Sequence, residues 1–341
     1  MLRVGLIGFG LAGQSFHAPI IRTTPGLELA CIVERSGSAA PQMVPEARAV
    51  RTVDELLADE QIQLCVVATP HNSHFDVARR CMLAGSHVVV DKPFTVTSAE
   101  AKELMEVAAQ QKRVLSVYQN RRYDGDFQTV KKIVESGVLG EVVEYEARYD
   151  RYRPEPRPNW RDKPGPGSGM LFDLGPHLID QALTLFGPPL AVNASLLHQR
   201  GFPVVDAFDV CFEYPRLRAL LRARILAYAP GPHFLIHGTK GSFSKYGMDP
   251  QEDPLRRGEL PGSEHWGEDQ EELWGTLSVA GSQPQKVKTE VGDYRNLYAN
   301  VRDAILGKAP LAVTAEDGYR TLRAIELAQQ SSQERRWVSW S

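Results

Sequence analysis

The chain has 341 residues, 43% of them hydrophobic, and a formal net charge of -3. That length suits two packed cores, and the small net charge argues against a nucleic acid or an anionic membrane surface as the main partner, since both need clustered excess Lys and Arg. A small molecule is the expected partner. With no apolar run approaching the roughly 20 residues of a membrane span, and a strand pattern from the first residues, the cytoplasm is the expected location.

Val4 to Ile7 forms a short apolar strand that leads directly into Gly8-Phe9-Gly10-Leu11-Ala12-Gly13. This is Gly-x-Gly-x-x-Gly in its proper context. The glycines permit a tight turn, close approach of backbone to a pyrophosphate, and packing of the next helix on the sheet, whose N-terminus favours the phosphate charge. Leu27 to Val33 reads as a second strand. Glu34 follows it, where a ribose-binding acid is expected, and Arg35 stands beside it.

Strand and helix then alternate. Gln63 to Ala68 is a strand ending in Thr69-Pro70-His71-Asn72-Ser73-His74, and Phe75 to Ala84 has helical spacing. His87 to Val90 is a buried strand ending in Asp91-Lys92-Pro93; a helix from Ser98 to Gln111 and a strand from Val114 to Tyr118 follow. The pattern implies a doubly wound parallel sheet, whose ligands bind beyond the carboxyl ends of the strands. Thr69, Pro70, His71, His74, Asp91, Lys92, Gln119 and Asn120 all fall on that side. A lysine after an all-apolar strand is an unusual place for a merely solvated charge. Lys92 therefore reads as a cation able to stabilise a developing alkoxide.

Beyond Asn120 the style changes. A helix runs to about Ser136, Glu141 to Arg148 is a strand, and Arg151 to Gly167 is a long loop rich in Pro, Gly and Arg. Within it, Trp160-Arg161 could lie against a nicotinamide or a polyol, or simply pack the loop down. The stretch Gly169 to Asp180 sets Asp173, His177 and Asp180 at offsets i, i+4 and i+7. With a helix starting near Pro176, His177 and Asp180 lie one turn apart and Asp173 sits just before them. An imidazole beside a carboxylate is a base with an orienter, although the same pattern suits a capped helix start with a buried histidine.

Ala207 to Tyr214 and Ala219 to Tyr228 run in near alternation, the second placing Leu221, Ala223 and Ile225 opposite Arg218, Leu220, Arg222 and Arg224. With His233 to His237, Ser242 to Lys245 and Lys286 to Val291 they imply a large, mostly antiparallel open sheet with one mixed-polarity face toward solvent or a second subunit. Asp249 to Trp274 is a charged loop. Helices are expected at Tyr294 to Leu306 and Ala315 to Ser332, the latter with Thr314 as N-cap and Asp317 completing a box. Cys31, Cys65, Cys81 and Cys211 have no Cys-x-x-Cys spacing and read as reduced thiols.

Taken together, the Gly8 to Gly13 turn, Thr69-Pro70 to His74, Asp91-Lys92-Pro93, Gly238-Thr239-Lys240-Gly241-Ser242 and Asp173-x-Gly175-x-His177-x-x-Asp180 resemble the glucose-fructose oxidoreductase, inositol dehydrogenase and MocA family over essentially the whole chain. The chain is most similar to the subgroup with NADP-dependent scyllo-inositol dehydrogenases, which shares Tyr118-x-Asn120-Arg121-Arg122, Asp124-x-Asp126-Phe127 and Tyr152-Arg153-Pro154-Glu155. The resemblance implies an α/β chain of two domains, a Rossmann domain at 1–120 and an α/β domain at 121–341 whose open sheet makes a homodimer or homotetramer. It also implies a nicotinamide cofactor, Lys92, Asp173 and His177 as the catalytic set, and no metal. The Asp91 of this chain replaces the family's usual Glu. Glu34 would accept ribose hydroxyls and repel a 2'-phosphate, whereas Arg35 could pair with one, so the local charges favour NAD slightly over NADP.

The expected activity is reversible oxidation of a secondary alcohol on a cyclic polyol, sugar or sugar derivative, an inositol-like compound first among them. The rivals are a nucleotide-sensing scaffold without turnover and a redox-assisted glycosidase.

Overall fold

The computed structural model describes residues 1–156, 162–165 and 167–341. Its chain forms two compact units, one of residues 1–123, 250–266 and 293–319, the other of residues 124–249, 267–292 and 320–341. The expected single cut at 120/121 therefore misses two later segments that belong to the first unit.

In the first unit, strands β1 (Leu2–Ile7), β2 (Leu27–Val33), β3 (Arg48–Val50), β4 (Leu64–Val67), β5 (His87–Val90) and β6 (Leu115–Val117) pair in the order β3-β2-β1-β4-β5-β6. All these pairings are parallel. Residues 64–67 and 88–90 are fully buried, as a strand covered on both faces requires. Five helices, α1 (Ala18–Thr23), α2 (Ala39–Met43), α3 (Val53–Leu57), α4 (His74–Leu83) and α5 (Ser98–Gln111), lie between the strands. α5 begins with a reciprocal capping box between Thr97 and Glu100. In this strand order the chain reverses its winding between β1 and β4, where a crevice opens beyond the carboxyl ends.

The second unit is built on β7 (Val142–Asp150), β8 (Ala191–Leu197), β9 (Ala207–Glu213), β10 (Arg218–Arg224), β11 (Phe234–Gly238), β12 (Gly241–Lys245), β13 (Gly275–Val279), β14 (Gln285–Val287) and β15 (Val338–Ser339). They pair in the order β14-β13-β12-β11-β7-β10-β9-β8-β15, antiparallel except for β7 with β10. Ala219, Leu221 and Ala223 of β10 are fully buried while Leu220, Arg222 and Arg224 are half-exposed, the alternation read from the sequence. The buried face packs against α6 (Gly125–Glu135), α7 (Met170–Asp173) and α8 (Gly175–Phe186). The other face carries an ion-pair network in which Arg222 reaches Glu146 at 3.0 Å and Arg224 reaches Asp209 at 2.7 Å.

The helices α9 (Glu252–Arg256), α10 (Arg295–Ile305) and α11 (Ala315–Glu334) complete the chain. Thr314 and Asp317 cap α11 reciprocally, as expected. α10 returns to the first unit, where Tyr298 meets His17. All four cysteines are free thiols. Among the described residues, no helix is long and apolar enough to cross a membrane.

Candidate active site

The glycine-rich turn shows why each of its glycines is needed. Gly8 has φ +102°, and a Cβ there would stand 2.6 Å from the Ala68 carbonyl oxygen, so the turn after β1 can lie directly against the end of β4. At Gly13 a Cβ would meet the Gly8 oxygen at 2.3 Å, whereas at Gly10 it would meet nothing within 4 Å. A side chain at Gly10 would instead fill the space that a pyrophosphate needs for close approach to backbone N–H groups. The donor set thus fits a dinucleotide. Phe9 is buried below the turn, and Leu11 is exposed at its crest.

Two more strand ends are fastened together beside this turn. The His74 ring is wholly buried, and its nitrogens lie 2.9 Å from the carbonyl oxygens of Thr69 and Pro93. Burial pulls the imidazole below its ordinary value. His74 was expected to bind cofactor, but with its ring enclosed it serves as a brace between the turn after β4 and the turn that carries Lys92. Thr69 accepts the Ser73 hydroxyl at 2.8 Å, and His71 and Asn120 are buried near the ends of β4 and β6. The half-buried Asp91 accepts the backbone N–H of Lys92 at 2.8 Å. Burial alone would raise the Asp91 carboxyl, but contact with His17 and the nearby Lys92 ammonium outweigh it and hold the group well below the usual carboxylate range.

Glu34 departs from expectation. Its side chain turns to α2, where one carboxylate oxygen accepts the N–H of Ala39 at 3.0 Å and the other that of Ala40 at 3.1 Å. Both oxygens thus satisfy orphan donors at a helix start, and hydrogen-bonding two ribose hydroxyls would compete with those bonds. The sequence could not show this, because an acid five residues before a helix reads equally well as a ribose ligand. Arg35 is exposed. Sequence reasoning overlooked Arg51, whose guanidinium donates to the carbonyls of Glu34 at 3.0 Å and Gly37 at 2.7 Å and so shapes the same loop.

In the second unit, Gly169 has φ +83°, and a Cβ there would lie 2.9 Å from the Val205 oxygen. That close approach delivers the chain into α7, which ends at Asp173; after one intervening residue α8 begins, with proline in its first turn. His177 and Asp180 are buried on α8 as expected, and Asp173, placed by sequence just before the helix, ends a short helical turn of its own. The Tyr149 ring stands edge-on to His177, centroids 6.5 Å apart. Beside Asp173 a small cleft is lined by Arg151, Arg153, Asp162, Arg200 and Ile225. The arginine-rich loop from Arg151 to Gly167 was the sequence signal for three of these, Arg151, Arg153 and Asp162. Trp160 and Arg161 lie outside the described residues.

Comparison with known proteins agrees with this geometry. Residues 2–119 match the model for the NAD-binding Rossmann fold of the GFO_IDH_MocA oxidoreductase family, and residues 131–340 match that for its C-terminal alpha/beta domain. The chain is 43% identical to the uncharacterized oxidoreductase YdgJ of Escherichia coli (98% of this chain, 97% of the relative). It is 39% identical to the scyllo-inositol 2-dehydrogenase (NADP(+)) IolW of Bacillus subtilis (99% and 95%). The solved structure of yvaA from Bacillus subtilis superposes with a TM-score of 0.95 at 38% identity, covering 99% of this chain and 98% of that one. With a nucleotide-binding turn, a lysine at the end of β5 and a histidine on α8, the chain belongs to the glucose-fructose oxidoreductase, inositol dehydrogenase and MocA family and is an NAD(P)-dependent dehydrogenase.

Proposed function

We propose that the chain interconverts a secondary alcohol and a ketone on a cyclic polyol or sugar, with an inositol as the favoured substrate class. The observation that carries this reading is the placement of Asp173 and His177 on successive helical turns, one beside a polar cleft and the other buried, in a chain whose full length matches a scyllo-inositol dehydrogenase. His177 takes the hydroxyl proton as general base, and Asp173 orients the imidazole or holds a neighbouring hydroxyl. Lys92 polarises the same oxygen as negative charge develops on it. When bound, the nicotinamide supplies the acceptor for the hydride that leaves the carbinol carbon. Residues Gly8 to Gly13, with Thr69, Pro70, His71 and Asn120, hold the cofactor, and no metal is needed.

The cofactor we propose is NADP rather than NAD. The expected preference for NAD rested on a Glu34 carboxylate facing the ribose; with that carboxylate bound to the N–H groups of Ala39 and Ala40, the repulsion of a 2'-phosphate is weakened, and exposed Arg35 supplies a bidentate partner. The half-exposed charged face of the second sheet is the proposed surface for a homodimer or homotetramer.

A panel of inositols, sugars and their keto forms, followed at the reduced-nicotinamide absorbance with NAD and NADP in parallel, tests both parts. Turnover of an inositol with an NADP preference is expected. Absence of turnover on every polyol would overturn the substrate reading, and a preference for NAD would return Glu34 to the ribose.

A further inference from the structure

The turn that follows the glycine-rich loop carries a histidine with no part in the reading above. His17 is fully buried, and its two nitrogens face different polar groups. Nδ1 lies 2.7 Å from the Tyr298 hydroxyl, and Nε2 lies 3.7 Å from Oδ1 of Asp91, an ion-pair distance slightly beyond a hydrogen bond. The same Asp91 oxygen accepts the backbone N–H of Lys92 at 2.8 Å. The Tyr118 ring packs on the imidazole with centroids 4.3 Å apart, and its hydroxyl donates to the Phe16 carbonyl at 2.8 Å.

We propose that His17 and Tyr298 are positioning residues for Lys92, acting through the Asp91 carboxylate; the proposal rests on the polarising role given to Lys92 above. The direction of the chain follows from its donors. Tyr298 is buried, and burial, with Tyr118 and the Asp91 charge, raises its phenol well above the ordinary value; because the Asp91 carboxylate facing Nε2 can only accept, the Tyr298 O–H is the group left to donate to Nδ1. Donation to Nδ1 leaves the ring proton on Nε2, the nitrogen facing Asp91. The Lys92 peptide thus holds the carboxylate by a hydrogen bond, and the imidazole N–H faces the same oxygen at 3.7 Å.

Burying an imidazole, a phenol and a carboxylate together is costly compared with an apolar core of the same volume. The cost is understandable if it sets the orientation of the residue next in the chain. A misplacement of the order of an ångström at a reacting group can cost about 100-fold in rate.

The test compares His17→Phe, which keeps a ring against Tyr118, with Tyr298→Phe, Lys92→Met and the His17→Phe/Lys92→Met double variant, using scyllo-inositol and NADP. His17→Phe should lower kcat by roughly tenfold and raise the primary deuterium isotope effect, with KM, NADPH affinity by fluorescence and melting temperature little changed. In the Lys92→Met background the same substitution should have no further effect. Tyr298→Phe, the milder change, should cost about fivefold, the scale of one hydrogen bond. Imidazole nitrogen shifts of the cofactor-free protein should show His17 protonated at Nε2, and that pattern should be lost in Tyr298→Phe.

A His17→Phe loss that is equal in both backgrounds, or that merely follows the folded fraction, would overturn the proposal while leaving Lys92 in place. The Nδ1-protonated tautomer would do the same. Unchanged kcat in Lys92→Met would remove the polarising role and this proposal with it.

Discussion

Lys92 and Lys245 each stand at the end of a strand, and their surroundings differ. Lys245, the last residue of β12, is fully buried; its ammonium lies 2.8 Å from Asp269 and donates to the Tyr246 carbonyl at 2.6 Å, while Thr289 donates to the same carboxylate oxygen at 3.1 Å. Lys92 follows β5, is half-buried, and has its neighbouring carboxylate fixed by its own peptide N–H and facing an imidazole. A cation enclosed by its own chain contributes to folding. One half-buried at the carboxyl end of a parallel sheet suits the ligand contact proposed for Lys92. Arg35, exposed beside β2, extends the comparison to the surface.

The largest effect should come from the enclosed lysine. Lys245→Met leaves Asp269 as a buried, uncompensated charge, so it should destabilise the protein by about 3–5 kcal/mol, read as a lower denaturant midpoint, while the folded fraction keeps its kcat. A variant of normal stability would break the comparison at once. Lys92→Met should do the reverse: the melting temperature holds, and kcat falls by an amount comparable to losing one oxyanion donor, about 2.7–4 kcal/mol. A change confined to cofactor affinity would recast Lys92 as a cofactor contact.

The sequence separated these two lysines only in part. An all-apolar strand before Lys92 advertises a crevice, whereas nothing local to Lys245 signals that Asp269, 24 residues on in a stretch expected to be an unassigned charged loop, will reach it. The same limit hid α9, whose Glu252 pairs with Arg121 across a long separation. Strand β8 was missed although Val192 and Ala194 are buried in alternation, because Asn193 between them and Ser195 after them weaken the β signal. By contrast, the Rossmann alternation and the Asp173 to Asp180 spacing were legible, since period and glycine placement are local properties.

His177→Ala sharpens the comparison by leaving all three cations in place. It should reduce turnover by roughly 100-fold with little change in NADPH affinity, and the acid-side fall of alcohol oxidation, where the imidazole becomes protonated and cannot accept a proton, should flatten. Unchanged turnover would remove His177 from the chemistry. The smallest effect belongs to the exposed cation: Arg35→Ala should shift the kcat/KM ratio toward NAD by about tenfold, corresponding to ~1.4 kcal/mol. Glu34→Ala should leave that ratio nearly unchanged and lower stability by about 1 kcal/mol through loss of the α2 cap; a swing in the ratio instead would show that Glu34 reads the ribose.

The contact between His17 and Tyr298 has a consequence for how the protein is made. It joins residues 281 positions apart inside one compact unit, which also takes residues 250–266 and 293–319. On a ribosome adding about 5–20 residues per second, the first unit must wait roughly 15–60 s after synthesis begins before Tyr298 is even translated. Until then the His17 side of its core is exposed, and an N-terminal fragment ending near residue 120 should be a poor folding unit despite containing every strand of the parallel sheet.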